Sequence, residues 1–373
     1  MADVSRPLSI IHPPIIECGA GVASKVAEWA ASKGAGKVLV VADAFNADRV
    51  GLLGFGPETK VEVFGDVVPE PDIANLDAVL AVTAELAPDL VVGFGGGSAM
   101  DLAKLAAVLG DGGQTLADVV GAHLVKGRRP LLAQVPTTAG TGSEGGTRSL
   151  VTDTQNARKM AVESLYMLAD MVALDPQLTV SLPPALTAAT GVDALAHCVE
   201  SYTNVKAHPA IDVYATEGIR LIGRYLGRAV ENGEDLEART ALALASLYGG
   251  FCLGPVNTAA GHAVAYPLGT RHHIAHGHAN AVIFPHVLAF NASVAPERTA
   301  FVLDALGVSG DVSQAALQFC ENLGIEMRMS RLGIPEADLE AMSGEAFAIK
   351  RLLDNNPREV SREDILGIYK AAY

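Results

Sequence analysis

The chain has 373 residues, which is too long for one compact hydrophobic core and suits two domains. Half of its residues are apolar and 18% are charged, which excludes general disorder, and the low aromatic content of 5% favours helices packed on a parallel sheet over an all-β sandwich. The formal net charge of −15 makes nucleic acid and anionic membrane surfaces poor partners, so a bound phosphate must be held locally by backbone N–H groups.

Short β-branched runs alternate with amphipathic stretches in the first half of the chain. The strands predicted there span residues 37–43, 61–64, 89–93, 131–135 and 171–174, and the helices span residues 22–31, 73–86 and 100–109. Strand–helix–strand alternation predicts a parallel, doubly wound sheet. We therefore expect an α/β dinucleotide-binding domain over residues 1–182.

The strand pattern stops after Leu182-Pro183-Pro184. Helices are predicted beyond this point at residues 185–202, 210–229, 236–248, 286–291 with their flanks, 312–323 and 362–371. We expect an all-helical, metal-binding and catalytic domain over residues 183–373. Within it, residues 241–270 contain no Asp, Glu, Lys or Arg, but their glycines and prolines predict a buried pair of helices and not a membrane span.

Cysteine usage and the N-terminus indicate a cytoplasmic protein. The cysteines lie far apart without a CxxC pair, as expected for reduced thiols: Cys18, Cys198, Cys252 and Cys320. The first residues, MADVSRPLSI, lack a basic region followed by an apolar core, so no signal peptide is predicted.

A glycine-rich loop separates the strand at residues 89–93 from the next helix. It contains Gly95, Gly96, Gly97 and Ser98. Glycine lets the backbone approach a ligand closely, and a helix N-terminus offers unpaired N–H groups, so pyrophosphate is the expected guest. A tight turn that needs positive φ is the alternative, because the spacing is not G-x-G-x-x-G.

Two further features fit a dinucleotide. Residues 136–144 (PTTAGTGSE) follow the strand at 131–135 and interleave threonines with glycines, so two loops can hold one extended anion at the carboxyl edge of the sheet. Asp43 ends the first strong strand, where a carboxylate accepts from ribose hydroxyls and repels a 2′-phosphate. This favours NAD over NADP, although Asp43 is also a suitable N-cap.

One carboxylate and three imidazoles stand in the least charged part of the helical region. Asp193 and His197 are four residues apart and share one helix face, and His262 and His276 follow. Buried together, these groups are costly unless a cation neutralises them. Three nitrogens and one oxygen suit Fe²⁺, Zn²⁺, Mn²⁺ or Co²⁺. From spacing alone, other histidines compete with His276: His272, His273 and His278.

Four motifs in this order resemble the iron-dependent (group III) alcohol dehydrogenases over nearly the whole chain. They are GGGSAMDLAK (residues 95–104), PTTAGTGSE (136–144), LPPALTAATGVDALAHCVESY (182–202) and GHAVAYPLG with HGHANA (261–281). The resemblance implies a dehydroquinate-synthase-like fold. It implies a divalent metal, iron or zinc, on Asp193, His197, His262 and His276. It also implies an NAD(P) site formed by Asp43, Gly95, Gly96, Gly97, Ser98, Asp101, Thr137, Thr138, Thr141, Ser143 and Lys159.

Two departures from the family pattern bear on function. Pro69-Glu70-Pro71 stands where the family often has Pro-Asn-Pro, which weakens a cofactor role for residue 70. Tyr266 stands where many members have a second histidine near the nicotinamide. A phenol can relay a proton but titrates far higher than imidazole. Hydroxyacid–oxoacid transhydrogenases of the same family are similar in having tyrosine there.

The expected reaction is reversible hydride transfer between NAD(P) and a small alcohol or carbonyl substrate. Tyr266, His272 or His273 could relay the proton. The alternatives are a transhydrogenase or maleylacetate-reductase-like enzyme acting on hydroxy or oxo acids, for which Arg271 is the candidate anion-binding group, a lyase of the dehydroquinate synthase type, and a non-catalytic binding protein. The lyase requires a cluster of Lys and Arg near the ligands, which the sequence lacks. We also expect a homo-oligomer, most simply a dimer.

Overall fold

The computed structural model describes residues 4–156 and 158–373. The chain divides into two units. Ile11–Thr138 and Gly142–Thr179 form the α/β unit, and the helical unit comprises the N-terminal residues up to Ile10 with Ala139–Thr141 and Val180–Tyr373. The break after Thr179 lies close to residue 182, and the domain assignment at 182 stays a prediction.

Every strand of the described residues belongs to the α/β unit. The strands are β1 (Ile16–Cys18), β2 (Lys37–Val41), β3 (Lys60–Phe64), β4 (Leu90–Gly95), β5 (Gly121–Ala122), β6 (Leu131–Pro136), β7 (Arg148–Asp153), β8 (Arg158–Glu163) and β9 (Met171–Leu174). In this part of the chain a six-stranded, all-parallel sheet has the order β1-β9-β6-β4-β2-β3. The predicted parallel sheet is thus confirmed. A smaller sheet has the order β5-β8-β7, with β7 and β8 antiparallel.

Helices cover both faces of the parallel sheet. They are α1 (Lys25–Ser32), α2 (Ala44–Ala47), α3 (Ile73–Leu86), α4 (Gly97–Leu109) and α5 (Leu116–Val119). Successive residues of a strand point to opposite faces. Leu39 and Val41 of β2 therefore join one apolar cluster with residues of α3 and α4, whereas Val38 and Val40 join another with residues of α1. Burial on both faces explains the unbroken β-branched run of β2.

The last strand, β9, ends at Leu174, and the described residues beyond it contain no strand. The main segment of the helical unit begins shortly afterwards. Its helices are α6 (Pro184–Thr203), α7 (Pro209–Glu231), α8 (Leu236–Leu253), α9 (Ala260–His272), α10 (His276–Ala292), α11 (Pro296–Ala305), α12 (Val312–Asn322), α13 (Leu339–Phe347), α14 (Lys350–Leu353) and α15 (Arg362–Ala372). The charge-free segment forms most of α8 and all but the end of α9, as predicted. Among the described residues no helix has the length and apolar character needed to cross a membrane.

Three differences from the predicted elements have physical causes. Helix α10 begins at His276, ten residues before the predicted core at 286, because burial of Ala279–Leu288 outweighs the helix-breaking tendency of Pro285 within that run. Helix α4 begins at Gly97, inside the glycine loop. The β7–β8 pair was not predicted, because four of the six residues of β7 and three of the six residues of β8 are polar or charged, so neither strand forms an apolar run.

Two charged side chains are buried together in the α/β unit. Lys104 is fully buried, and its Nζ donates to the backbone oxygen and Oγ of Ser143, both at 2.7 Å, and to the backbone oxygen of Arg148 at 2.8 Å. Glu144 is 1% exposed. Burial raises the pKa of the Glu144 carboxyl to about 7, although Lys104 acts in the opposite direction. Ionisation of Glu144 therefore costs folding free energy.

We predict that Glu144→Gln stabilises the protein at alkaline pH. A carboxyl whose pKa rises from 4.5 to about 7 on folding holds its proton more tightly in the folded state. Stability is therefore lost as the pH rises across this window, and the loss is on the order of 3 kcal/mol. The amide cannot ionise, so the variant should melt a few degrees above wild type at about pH 9 and close to it at about pH 5.

Differential scanning calorimetry at both pH values tests this prediction. Glu85→Gln, which changes an exposed carboxylate on α3, is the control and should follow wild type at each pH. If Glu144→Gln and the control variant melt at the same temperature at both pH values, the raised pKa of Glu144 is contradicted.

Candidate metal centre and cofactor loops

Helix α6 provides the first pair of candidate metal ligands. Its Ala- and Leu-rich sequence begins with Pro184 in the first turn, where a missing N–H costs nothing. Asp193 and His197 lie one turn apart on the buried face and are 1% and 4% exposed. Gly249 of α8 allows this close packing, because a Cβ there would lie 3.1 Å from the Cβ of His197.

Helices α9 and α10 provide the second pair, His262 and His276. One donor atom from each of the four residues lies within 4.8 Å of the others. The Oδ1 of Asp193 lies 3.7 Å from Nε2 of His262 and 3.5 Å from Nε2 of His276. The His276 side chain is 35% exposed, whereas that of Asp193 is 2% exposed, so the cluster has one open side.

The hydrogen bonds of two imidazoles indicate which nitrogen each presents to the cluster. Nδ1 of His197 lies 3.3 Å from the backbone oxygen of Gly140, and Nδ1 of His262 lies 2.6 Å from Oε1 of Glu200. Both partners are acceptors, so the geometry assigns the proton to Nδ1. The two Nε2 lone pairs then face each other at 3.0 Å beside a carboxylate. A cation relieves that repulsion, so the donor set fits a divalent metal.

The charge states of the cluster fit the same conclusion. Burial lowers the pKa of His197 to about 4, so this imidazole is neutral near pH 7. Burial alone would raise the pKa of Asp193, but the three histidines and Asn280 bring it below its ordinary value. Burial alone would lower the pKa of His262, but the Glu200 carboxylate raises it. An anionic oxygen and a neutral imidazole nitrogen are the forms that bind metals, so Asp193 and His197 have the ligating charge states, whereas an imidazolium at His262 would release a proton to an incoming ion.

The competing histidines lie in other surroundings. Nε2 of His278 lies 2.8 Å from the backbone oxygen of Glu326. Nε2 of His272 lies 3.4 Å from a carboxylate oxygen of Asp338. His273 ends α9 in the left-handed conformation with φ 57°. The structure therefore brings His276 to Asp193, and the ligand assignment itself remains a prediction.

Tyr266 and Arg271 lie on α9 after His262. The ring of Tyr266 is centred 6.2 Å from the ring of His276, which puts the phenol beside the candidate ligands. Arg271 is paired with Glu345 through a contact of 2.8 Å. Its charge is therefore already compensated, which argues against Arg271 as an anion-binding group.

The glycine loop connects β4 directly to α4. Gly95 has φ 159°, and a Cβ there would lie 2.8 Å from the Cβ of Ala99 and 3.3 Å from Oδ2 of Asp43. Gly96 is the N-cap of α4 and has no side chain to cap the helix. The first N–H groups of α4, including those of Gly97 and Ser98, therefore receive no cap from the Gly96 side and are candidates to bind an anion.

Asp43 caps α2 at the end of β2. Its Oδ1 accepts from the backbone N–H of Asn46 at 3.1 Å, and its Oδ2 accepts from the Asn46 amide at 2.7 Å. The same amide donates to Oγ1 of Thr137 at 3.2 Å, and the backbone N–H of Thr137 donates to the oxygen of Gly95 at 2.9 Å. Asn46 therefore connects the candidate ribose-binding carboxylate to the second loop. This role of Asn46 was not predicted from the sequence.

Hydrogen bonds of Asp101 and Ser143 stabilise the second loop, residues 136–144. Oδ1 of Asp101 accepts from Oγ of Ser143 at 2.6 Å, and its Oδ2 accepts from the backbone N–H of Leu150 at 2.8 Å. Both side chains are thus engaged within the protein. Thr138 lies beside Gly96, where an added Cβ would come within 3.4 Å of it. Thr141 belongs to Ala139–Thr141 and groups with the helical unit.

Lys159 makes an ion pair that its sequence position did not indicate. Its Nζ donates to Oε2 of Glu70 and to Oγ1 of Thr152, both at 2.7 Å. The backbone N–H of Glu70 donates to Oγ of Ser98 at 3.2 Å. Glu70 therefore contacts both the glycine loop and the candidate cofactor lysine.

Two more residues that contact the candidate metal ligands were not predicted from the sequence. Glu200 accepts from His262, and the amide of Asn280 donates to Oδ1 of Asp193 at 2.7 Å. Helical spacing was an available signal, since Glu200 follows His197 by three residues and Asn280 follows His276 by four. Their partners, however, come from different helices.

Comparison with known proteins identifies the family. Residues 13–176 match the family model "Iron-containing alcohol dehydrogenase", and residues 187–373 match "Fe-containing alcohol dehydrogenase family, C-terminal". Long-chain-alcohol dehydrogenase 1 of Geobacillus thermodenitrificans (strain NG80-2) is 38% identical over 98% of this chain and 96% of its own length.

Two solved structures have similar folds. A 1,3-propanediol oxidoreductase has a TM-score of 0.93 and 32% identity, with 99% of this chain and 100% of the other covered. Sulfoacetaldehyde reductase from Bifidobacterium kashiwanohense, in complex with NAD+, has a TM-score of 0.89 and 27% identity, with 99% of each chain covered. The chain is therefore an oxidoreductase that acts on CH–OH groups, and it belongs to the iron-containing alcohol dehydrogenase family.

Proposed function

We propose that this enzyme is a metal-dependent, NAD-linked alcohol dehydrogenase and aldehyde reductase that holds Fe²⁺, or another divalent ion such as Zn²⁺, on Asp193, His197, His262 and His276. The observation that carries the proposal is the pair of facing Nε2 atoms 3.0 Å apart beside a buried carboxylate. The overall reaction converts an aldehyde, NADH and a proton into an alcohol and NAD+, and it is reversible.

When bound, the divalent ion acts as a Lewis acid on the substrate oxygen, and the nicotinamide carries the hydride. The protein supplies the positioning. Gly140 and Glu200 orient two imidazoles, and Asn280 orients the Asp193 carboxylate. Second partners of this kind fix the orientation of metal ligands. The open side at His276 is where a substrate can enter.

The cofactor is NAD, held by the first turn of α4 and the loop at residues 137–143. Asp43 lies at the end of β2 next to Gly95, where its carboxylate can accept from ribose hydroxyls and repels a 2′-phosphate. Asp101 and Lys104 hold Ser143, and Glu70 holds Lys159, so these residues position the loops before the cofactor binds. The sulfoacetaldehyde reductase structure with NAD+ supports this cofactor class.

The substrate is a small alcohol or aldehyde. Arg271 is paired with Glu345, so it is less available to bind the carboxylate of a hydroxy- or oxo-acid substrate. The transhydrogenase and maleylacetate-reductase-like alternatives are therefore less well supported. Assays of metal-reconstituted protein for NADH oxidation with aldehydes, ketones and 2-oxo acids distinguish these activities. The expected homo-oligomer stays a prediction.

We predict that His262→Ala loses both bound metal and turnover, because it removes one of four ligands and the remaining donors cannot enclose the ion. Metal per chain is measured by atomic absorption after dialysis. His278→Ala, which alters a histidine bonded to the backbone of Glu326, is the control and should keep its metal. Full metal occupancy in His262→Ala would refute the ligand assignment.

Asp43→Gly should narrow the preference for NAD over NADP by about tenfold, since the removed repulsion is on the order of 1 kcal/mol or more. The ratio of kcat/KM values and the dissociation constants of both cofactors measure this preference. Asp43 also caps α2, so the matched control is Asp72→Gly, which removes the equivalent cap of α3. Wild-type preference for NADP, or an equal change in both variants, would contradict the proposal.

Tyr266→Phe should slow turnover and alter its pH dependence while metal content and NAD affinity stay nearly constant. The substitution removes only the hydroxyl of a ring that lies beside His276. Alcohol oxidation releases a proton, so wild type should favour oxidation at alkaline pH. Tyr225→Phe, which removes a hydroxyl bonded to Glu237, is the control. A Tyr266→Phe pH–rate profile identical to wild type would instead make Tyr266 a packing residue.

A further inference from the structure

Glu200 is a buried carboxylate on α6 that contacts the candidate metal site without belonging to it. It is 6% exposed. Its Oε1 accepts from Nδ1 of His262 at 2.6 Å, and its Oε2 accepts from the backbone N–H groups of Ala259 at 2.6 Å and of His262 at 3.3 Å. All three partners are N–H groups, so this position requires an acceptor at both oxygens.

The backbone of α9 is adapted to this carboxylate. Gly261 lies directly against it, and a Cβ there would come within 2.6 Å of Oε1. Ala259, the N-cap residue of α9, has no side-chain acceptor, and Glu200 of a different helix accepts instead from the N–H of His262, in the first turn of α9, as well as from that of Ala259. An anion at a helix N-terminus is also favoured by the helix dipole. One side chain thus fixes both the start of α9 and the ring of His262.

The contact with His262 determines the tautomer of that ring. While Oε1 accepts from Nδ1, the proton stays on Nδ1 and the lone pair of Nε2 points toward Asp193 and His197. Glu200 and Asp193 are also two buried carboxylates on opposite nitrogens of the His262 ring, with Glu200 Oε1 2.6 Å from Nδ1 and Asp193 Oδ1 3.7 Å from Nε2. A bound dication balances their two negative charges, whereas Asp193 alone would leave one positive charge in excess.

We propose that Glu200 is a positioning residue of the metal centre, which holds His262 in the ligating tautomer and supplies the second negative charge that a divalent ion requires. The inference rests on the metal site of the proposed function. A helix cap without influence on the metal is the competing role. The two roles differ in whether metal affinity depends on Glu200.

Glu200→Gln tests the inference, because an amide cannot satisfy three donors at two atoms. If its oxygen accepts from Ala259, its NH₂ faces Nδ1 of His262, which moves the ring proton to Nε2 and blocks that ligand. If the amide is reversed, its NH₂ faces the N–H of Ala259. We expect the dissociation constants of Zn²⁺ and Co²⁺ to rise about 10- to 100-fold. The visible absorption of the Co²⁺-loaded protein should also change.

Dissociation constants are measured on the full-length, metal-free protein by competition with a chromophoric chelator, and the melting temperature of the metal-free protein is recorded in parallel. Asp212→Asn is the matched control, since Asp212 is a carboxylate in the first turn of α7 that pairs with Arg298. Should Glu200→Gln not fold, Gly261→Ala displaces the same carboxylate without removing its charge and is expected to weaken metal binding in the same direction.

Weaker metal binding in Glu200→Gln than in Asp212→Asn, with an altered Co²⁺ spectrum, supports the proposal. Wild-type dissociation constants and an unchanged spectrum, with or without a lower melting temperature, overturn it and leave Glu200 as a helix cap. A wild-type protein that binds neither ion would refute the proposed metal site itself, so the two failures are distinguishable.

Discussion

The chemistry of the helical unit depends on the repulsion between two imidazole nitrogens that face each other beside a carboxylate. Each ring is held in this arrangement by a hydrogen bond at its Nδ1 atom. His197 donates to the backbone oxygen of Gly140, and His262 donates to Glu200. Three helices, α6, α9 and α10, do not bring such groups together by apolar packing alone, since burial of unpaired polar atoms is unfavourable. The folding of this unit and its affinity for a cation are therefore linked.

The α/β unit follows a different strategy, in which polar side chains hold loops in place. The buried Lys104 donates to three oxygen atoms of the second loop and β7. Asn46 hydrogen-bonds to Asp43 after β2 and to Thr137 after β6. Several residues expected to touch the cofactor, Asp43 and Asp101 among them, already have protein partners. In the proposed cofactor site these contacts would preorganise the two loops and reduce the entropy cost of ordering them when a ligand binds.

Local patterns predicted the parts of the fold that local interactions determine. The apolar runs of β2, β4, β6 and β9 and the helical spacing of α3 and α6 could be recognised in the sequence because burial requires apolar residues at these positions. The start of α10 was not, since its first turns are stabilised by other helices despite Pro285. Spacing identified Asp193 and His197 on one helix face, but it left His276 and His278 open. Glu200 and Lys104 were missed because their partners lie far along the chain.

The unequal exposure of the four candidate ligands has a kinetic consequence. Three of them are almost completely buried, and only the side chain of His276 is substantially open to solvent. Under the proposed function, an ion held by these residues would leave most readily by first detaching from His276, on the side where we propose that the substrate enters. Occupancy of that opening by a small molecule would hinder both detachment and the approach of a chelator. The rate of metal loss, and not only its equilibrium, would then depend on occupancy by substrate, and an idle enzyme would lose its metal faster than one kept saturated.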